Sequence, residues 1–356
     1  MNQNLDNPQN FMMADQENHV LSSIKLLADQ IEDARQQAQN LNSPADCHLT
    51  QNITLCGMGG SALGARIIQS TFASILPDPL IINTNFSLPH YIGANSLVII
   101  SSYSGNTAEA INCLYKAQSA GAKIFAITTG GKLAEEIEHG LPGIIIDPKN
   151  NPSNQPRLGL GYSFGAMLSL MSNCQILSLT DLELNEAIKH MRQSLSAFAP
   201  DKPTSENKAK KLAVSFKAQA PIIIASEHLI GAAHAMKNQL NETAKTFSAL
   251  FDLPELNHHL MEGLKHPAML KSNLKFLFLE SNLYSNEVTK RYPLTAEVLN
   301  KNELEVDRYE LTTSSKLGQA LEVVALGAYL SFYLAYLKEE DPSQIPWVDY
   351  FKERLQ

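Results

Sequence analysis

The stretch SLVIISSYSGNTAEA, residues 96–110, decides how the chain folds. Residues 96–100 are an apolar run of strand composition, residues 101–107 are polar, and a helical pattern runs from 108 to 120. A strand that turns into a helix through serines, a glycine and an asparagine places a helix N-terminus at a strand end. There the first N–H groups have no partner within the helix and the helix dipole is positive, so an anion finds donors already aimed at it. The hydroxyls of Ser101, Ser102, Ser104 and Thr107 add donors, and Gly105 lets the backbone come close. The stretch reads as a phosphate seat, or else as an ordinary helix start in which Asn106 and Glu109 form a capping box.

Working outward, QNITLC (51–56) reads as a strand that enters GMGGSALGA (57–65) and a helix to about residue 74. Residues 80–82, 123–128 (KIFAIT) and 143–147 (GIIID) read as further strands, and 161–177 as a helix. Short apolar runs alternating with helices predict parallel strands covered on both faces, hence a doubly wound α/β fold. A cover helix is expected over 14–39, with Val20, Ile24, Leu27, Ile31 and Ala34 at three- and four-residue spacing. After the polar, proline-containing stretch 197–207 the pattern restarts. Strands are expected at 221–225 (PIIIA), 274–280 (LKFLFLE) and 305–311, with helices over 229–245 and 320–337. Two α/β domains follow, residues 1–200 with the cover helix and phosphate loops, and residues 201–356.

The totals narrow the class. A chain of 356 residues with 44% hydrophobic and 18% charged residues is globular, and its net charge of -8 argues against broad affinity for nucleic acid. Cys47, Cys56, Cys113 and Cys174 are widely spaced without a CxxC, so they are expected as reduced, mostly buried thiols. No uninterrupted apolar run approaches the roughly 20 residues that span a bilayer, and no basic start precedes an apolar segment. The expectation is a cytoplasmic protein that does not engage a membrane.

Gly57, Gly59 and Ala62 satisfy a loose dinucleotide fingerprint. Its second half, an acid after the next strand, is missing from IINTNFSL, which disfavours a nicotinamide enzyme. Gly59, Gly60 and Ser61 then read as a loop that something small approaches, or as glycines serving tight packing alone. Ligands of open α/β sheets collect at the carboxyl ends of the strands, so both loops are expected to face one crevice, with a phosphate on SSYSGNT and a polyhydroxy body against GMGGS. The seat contains no lysine or arginine. Arg157, in NQPRLGLGY, is the nearest candidate cation, or else a solvent-exposed loop arginine.

In the second half, Glu242 lies two residues past Leu240, roughly 200° around the helix from the stripe of Leu229, Ala233, Met236 and Leu240. By spacing it is a solvated carboxylate. His258, His259 and His266 lack the HxH or HxxxH spacing of a metal site. Lys316 falls in a first helical turn, where the dipole disfavours a cation, and reads otherwise as a surface lysine.

Taken together, GMGGSALGA, SSYSGNT, ITTGGKL, QPRLGLGY, NQLNETAK, PELNHH and the apolar helix ending in YLAYLKEEDP resemble the sugar-isomerase (SIS) fold. More narrowly, they resemble the bifunctional phosphoglucose/phosphomannose isomerases, over most of the chain. The resemblance implies two doubly wound SIS subdomains, each a mostly parallel sheet flanked by helices. It implies that Ser102, Ser104 and Thr107 hold a sugar phosphate, with Gly59, Gly60 and Ser61 along the sugar. Arg157 would stabilise an enediolate near C1 and C2, Glu242 would carry the proton between those carbons, His258 would open the ring, and Lys316 would assist at that end. It further implies a homodimer in which the histidine reaches the neighbour's site, and no metal or organic cofactor. His259 stands where relatives carry asparagine, which leaves open which histidine points inward, and Thr312 and Thr313 are candidates for setting the space at C2. The alternative in another class is a sugar-phosphate sensor or regulator that keeps the seat without turnover.

Overall fold

The computed structural model describes residues 5–15 and 19–355 and divides into two compact units, Leu26–Lys189 and Met1–Lys25 with His190–Gln356. The first 25 residues therefore group with the second half, and the break falls at Lys189, within the helix Asp181–Ala197, where the sequence suggested residue 200. The reason is that the expected cover helix over 14–39 is not continuous. Helices Pro8–Asp15, Val20–Lys25 and Leu27–Gln37 stand in its place, and residues 16–18 lie outside the described residues. Val20–Lys25 packs on the helix Lys316–Leu337, whereas Leu27–Gln37 belongs to the other unit.

Unit Leu26–Lys189 holds strands β1 (Asn52–Gly57), β2 (Leu80–Asn83), β3 (Ser96–Ser102), β4 (Lys123–Thr128) and β5 (Gly143–Ile145). They form a wholly parallel sheet in the order β2-β1-β3-β4-β5, and β3 is buried along its whole length. The order reverses between β1 and β3, which is where such sheets open a crevice at their carboxyl edge. The helix Ala108–Ser119 turns Ala110, Cys113, Leu114 and Ala117 onto Val98 and Ile100 of β3 and Ile124 and Ala126 of β4. That i, i+3, i+4, i+7 face stabilises the seating by about 1.5–3 kcal/mol for each large aliphatic side chain buried, so the start of this helix is held fixed at the end of β3.

The cysteines depart from expectation. Cys47 and Cys174, 127 residues apart, form a disulfide, because the segment before β1 meets the end of the helix Leu160–Asn173 with Cα atoms 5.3 Å apart. Wide spacing in sequence carries no information on that contact. Closing so long a loop stabilises by about 2–4 kcal/mol through the entropy of the unfolded chain. Cys56 and Cys113 are free buried thiols that share the amide of Asn83, at 3.6 and 3.5 Å.

The second sheet is also parallel, with β6 (Ala220–Ala225), β7 (Ala249–Asp252), β8 (Leu274–Glu280) and β9 (Glu305–Glu310) in the order β7-β6-β8-β9. Strand β7 was not legible from sequence, since ALFD is short and only half-buried. The helix Lys316–Leu337 is the spine of this unit. Its length and composition would suit a membrane crossing, yet 94% of its most apolar window is buried inside the protein. A Cβ at Gly327 would stand 2.9 Å from Met236 Cβ, so only glycine lets the helix Ile230–Glu242 lie this close.

Candidate active site

Register brings the three strand-to-helix turns of the first sheet side by side, with Gly57 opposite Ser101 and Ser102 opposite Thr128. The turns are also tied to one another. Ser101 Oγ donates to Ser61 O at 2.9 Å, and Ser61 Oγ accepts from Tyr103 N at 2.9 Å. Thr129 donates to Tyr103 O through both N and Oγ1, at 3.1 and 2.7 Å. The glycine loop and SSYSGNT therefore form one ledge at the carboxyl edge, and the residues after β4 brace it from below.

The capping box does not form. Asn106 Oδ1 accepts from Lys132 N at 3.0 Å and so caps the next helix, Gly131–Glu138. Thr107, the N-cap of Ala108–Ser119, makes no capping bond, and its hydroxyl pairs with Ser102 Oγ at 2.8 Å. A twelve-residue helix whose N-cap side chain is turned away presents its first N–H groups and its dipole to an anion. Ser104 is exposed on the rim, and Gly105 makes the turn with φ +70°.

Arg157 sits in the short helix Pro156–Leu158 and is 3% exposed, so it is not a solvent-facing loop arginine. A Cβ on Gly60 would stand 2.8 Å from Pro156 O and 3.1 Å from Arg157 Cα, so the arginine's backbone lies directly on the glycine loop. Its Nη1 donates to Gln155 Oε1 at 3.0 Å. Beneath these loops a small cavity of about 20 Å³ is lined by Gly60, Ser61, Ser101, Tyr103, Pro156 and Gly159, enough for one water. Tyr103 was missed from sequence. Its hydroxyl accepts from Asn151 Nδ2 at 2.9 Å and donates to Asn154 Oδ1 at 3.3 Å, linking SSYSGNT to the Arg157 segment, and burial pushes its phenol up. A lone aromatic ring inside an otherwise polar turn was the available signal.

In the other unit Glu242 is half-buried and ends the helix Ile230–Glu242. That helix starts after the carboxyl end of β6 and runs back about 20 Å, so Glu242 lies at the amino edge of the sheet. The bonds just beyond it agree, since Ser248 Oγ donates to Pro221 O at 2.8 Å and Ser248 N donates to Asn241 Oδ1 at 2.8 Å. His258 and His259 occupy the helix Leu256–His259, which follows β7 at the opposite, carboxyl edge. Both are exposed. His259 Nδ1 bonds to Glu255 O at 3.0 Å and its ring lies 6.2 Å from Phe251, whereas Asn257 pins the segment by donating to Thr295 Oγ1 at 2.9 Å. Lys316, exposed, opens its helix after β9. Strands β7 and β9 are the outer ones, three strand spacings or about 14 Å apart. Within this unit, then, Glu242, His258 and Lys316 are not brought together, which residue spacing could not reveal.

Lys316 instead stands near a buried polar network that sequence did not suggest. Gln319 Nε2 donates to Thr313 O at 2.9 Å and Asn282 Oδ1 at 3.1 Å, which leaves its Oε1 to accept from Ser281 Oγ at 2.5 Å and His228 Nε2 at 2.9 Å. His228 therefore carries its proton on Nε2. Of the two threonines proposed for the space at C2, Thr312 is held from within the protein, its N and Oγ1 donating to the buried Glu322 carboxylate at 3.1 and 3.2 Å, and Thr313 is engaged through its carbonyl by Gln319. Burial lowers the His228 pKa below its ordinary 6.5, the Gln319 bond opposes this, the Lys316 ammonium adds to the lowering and Glu227 opposes it. Below 6.5 the unfolded chain then binds a proton that the native chain does not, so stability is present above that pH and is lost as pH falls. Urea midpoints taken from about pH 7.5 down to about pH 5.5 are expected to fall, and His228→Gln is expected to flatten that slope. An unchanged slope would show that another group titrates.

Among the described residues, no group of three histidine, cysteine or carboxylate side chains is arranged to hold a metal ion. Residues 205–355 match the bacterial phospho-glucose isomerase C-terminal SIS domain. The chain is 29% identical over 337 residues to a bifunctional phosphoglucose/phosphomannose isomerase of Caldicellulosiruptor bescii, covering 94% of this chain and 98% of that one. It is 30% identical over 308 residues to the Pyrobaculum calidifontis protein of the same name, covering 86% and 89%. In fold it matches the crystal structure of a hypothetical protein from Thermus thermophilus, with a TM-score of 0.77 at 16% identity over 99% and 93% of the two chains. With both sheets parallel and similarity running through both units, the chain belongs to the bifunctional phosphoglucose/phosphomannose isomerase family.

Proposed function

We propose that this protein is an aldose-ketose isomerase that interconverts glucose 6-phosphate and mannose 6-phosphate with fructose 6-phosphate. The observation that carries the reading is the ledge formed by GMGGS and SSYSGNT, joined through Ser61 and Tyr103 beside an uncapped helix start, in a chain of this family. The phosphate would sit on Ser102, Ser104, Thr107 and the first N–H groups of Ala108–Ser119, with Gly59, Gly60 and Ser61 along the sugar. Binding energy from this end holds C1 and C2 where the reaction needs them. Arg157 would oppose the charge that develops on the enediolate oxygen, and Glu242 would take the proton from one carbon and return it to the other.

His258 is the proposed ring-opening group, because His259 is engaged with its own helix. His258 and Glu242 lie at opposite edges of one sheet, which favours a homodimer in which each site takes its histidine from the neighbour. Lys316 opens its helix at the same carboxyl edge of the sheet as His258 and would assist at the ring-opening end.

Purified protein incubated with either aldose phosphate is expected to form fructose 6-phosphate. Tight binding of both without conversion would favour the sensor reading, and an active monomer in sedimentation would remove the shared histidine.

A further inference from the structure

The helix Leu27–Gln37 contains one amide at a position where its apolar stripe should continue. Gln30 is fully buried, between Leu27 and Ile31 on the inward face. Its three bonds all go to the backbone of the segment that carries Arg157. Nε2 donates to Asn150 O at 3.1 Å and to Leu158 O at 2.8 Å, and Oε1 accepts from Gly161 N at 3.1 Å. Leu158 is the residue after Arg157, so one of these bonds fixes the peptide next to the arginine. Gly161 is matched to this contact, since a Cβ there would stand 2.6 Å from Gln30 Cβ.

On its other side the same segment lies on Gly60. The Arg157 backbone is thus held between the glycine loop and the Gln30 amide, which meets all three of its partners at once. Neighbouring residues of the helix hold the start of the segment. Asp33 accepts from Tyr162 OH at 2.9 Å and pairs with Lys149 at 2.9 Å, and Gln37 both accepts from Asp147 N, at 2.8 Å, and donates to Asp147 O, at 2.9 Å. Of these three side chains, Gln30 is the one that reaches the residue beside the arginine. The bonds within the phosphate ledge, Ser101 to Ser61 and Tyr103 to Ser61, are made without this amide.

We infer that Gln30 is a positioning residue for the isomerase reaction, setting the Arg157 guanidinium where the enediolate oxygen forms. The inference rests on the role proposed above for Arg157. An arginine displaced by a fraction of an ångström still allows ground-state binding through the phosphate, but it stabilises the intermediate less well.

The test uses Gln30→Met, which keeps the side-chain volume and removes every bond, alongside Gln30→Ala. Each is expected to lower kcat roughly 10- to 100-fold, with KM changed less than about threefold. Affinity for a phosphorylated five-carbon hydroxamate, which resembles the enediolate, should fall in parallel with kcat, while affinity for a six-carbon alditol phosphate should hold. In an Arg157→Ala background, Gln30→Met should lower kcat by less than about twofold more, because the two residues act as one unit. Wild-type kcat in Gln30→Met, or losses that multiply across the double variant, would overturn the inference and make Gln30 a purely structural amide. A fully active Arg157→Ala single variant would instead overturn the reading of the arginine itself, which is a separate result.

Discussion

Glu242→Gln is expected to lower kcat by about 10²- to 10⁴-fold while sugar-phosphate binding persists, because the change removes the proton acceptor and keeps the rest of the side chain. The isosteric amide preserves the shape of a half-buried side chain at the end of the helix Ile230–Glu242. A carboxylate at a helix C-terminus is disfavoured by the dipole, typically by about 0.3–1 kcal/mol, so the neutral amide should not weaken the helix. Thermal unfolding should therefore be close to wild type, which separates lost chemistry from lost fold. The bonds that Ser248 makes to Asn241 and Pro221 at this corner do not involve the carboxylate and should survive the change. A coupled assay for fructose 6-phosphate, run beside calorimetry with an alditol phosphate, gives both quantities. Turnover near wild type would place the base elsewhere.

Gly105→Ala is expected to act at the other end of the substrate. The glycine has φ +70°, a region that side chains rarely adopt, and a Cβ there would run into the carbonyl of Gly130 and lie 2.9 Å from Thr128 Oγ1. Thr128 Oγ1 already donates to Gly130 O at 2.8 Å and accepts from Gly130 N at 3.2 Å, so the wall has no room to yield. The turn must move, and Ser102, Ser104 and Thr107 move with it. Losing one or two hydrogen bonds to a charged group, each worth about 1.5–3 kcal/mol, corresponds to a fall of roughly 100-fold in kcat/KM. The loss should appear mainly as a raised KM, with inorganic phosphate also failing to compete. A wild-type KM in a folded Gly105→Ala protein would show that the phosphate binds elsewhere.

Much of the first unit was legible because its chemistry is local. SSYSGNT and GMGGS announce strand-to-helix turns by composition, and the rule that ligands gather at carboxyl edges already placed them in one crevice. Their bonding was not legible. Asn106 and Glu109 have the spacing of a capping box, yet Asn106 Oδ1 accepts from Lys132 N at 3.0 Å in the first turn of the following helix, a partner 26 residues away that local spacing cannot reveal. In sequence Arg157 reads equally as a solvated loop residue; its burial against Gly60 on one side and Gln30 on the other is a contact between distant segments.

The second unit shows the limit more sharply. Helix periodicity put Glu242 off the apolar stripe and marked Lys316 as an odd first-turn cation, and neither statement says which edge of a sheet a residue occupies. That depends on strand order and on the direction in which each helix returns. By itself the sequence determined the alternation of strands and helices, the doubly wound class, the two turns suited to a phosphosugar and the family resemblance, since each is written in short stretches or in their order along the chain. Only the tertiary structure decided that Cys47 meets Cys174, that Gln30 holds the Arg157 segment, and that Glu242 lies away from His258 and Lys316. These are contacts between residues far apart in sequence, and their distances are set by packing and register, which no local pattern encodes.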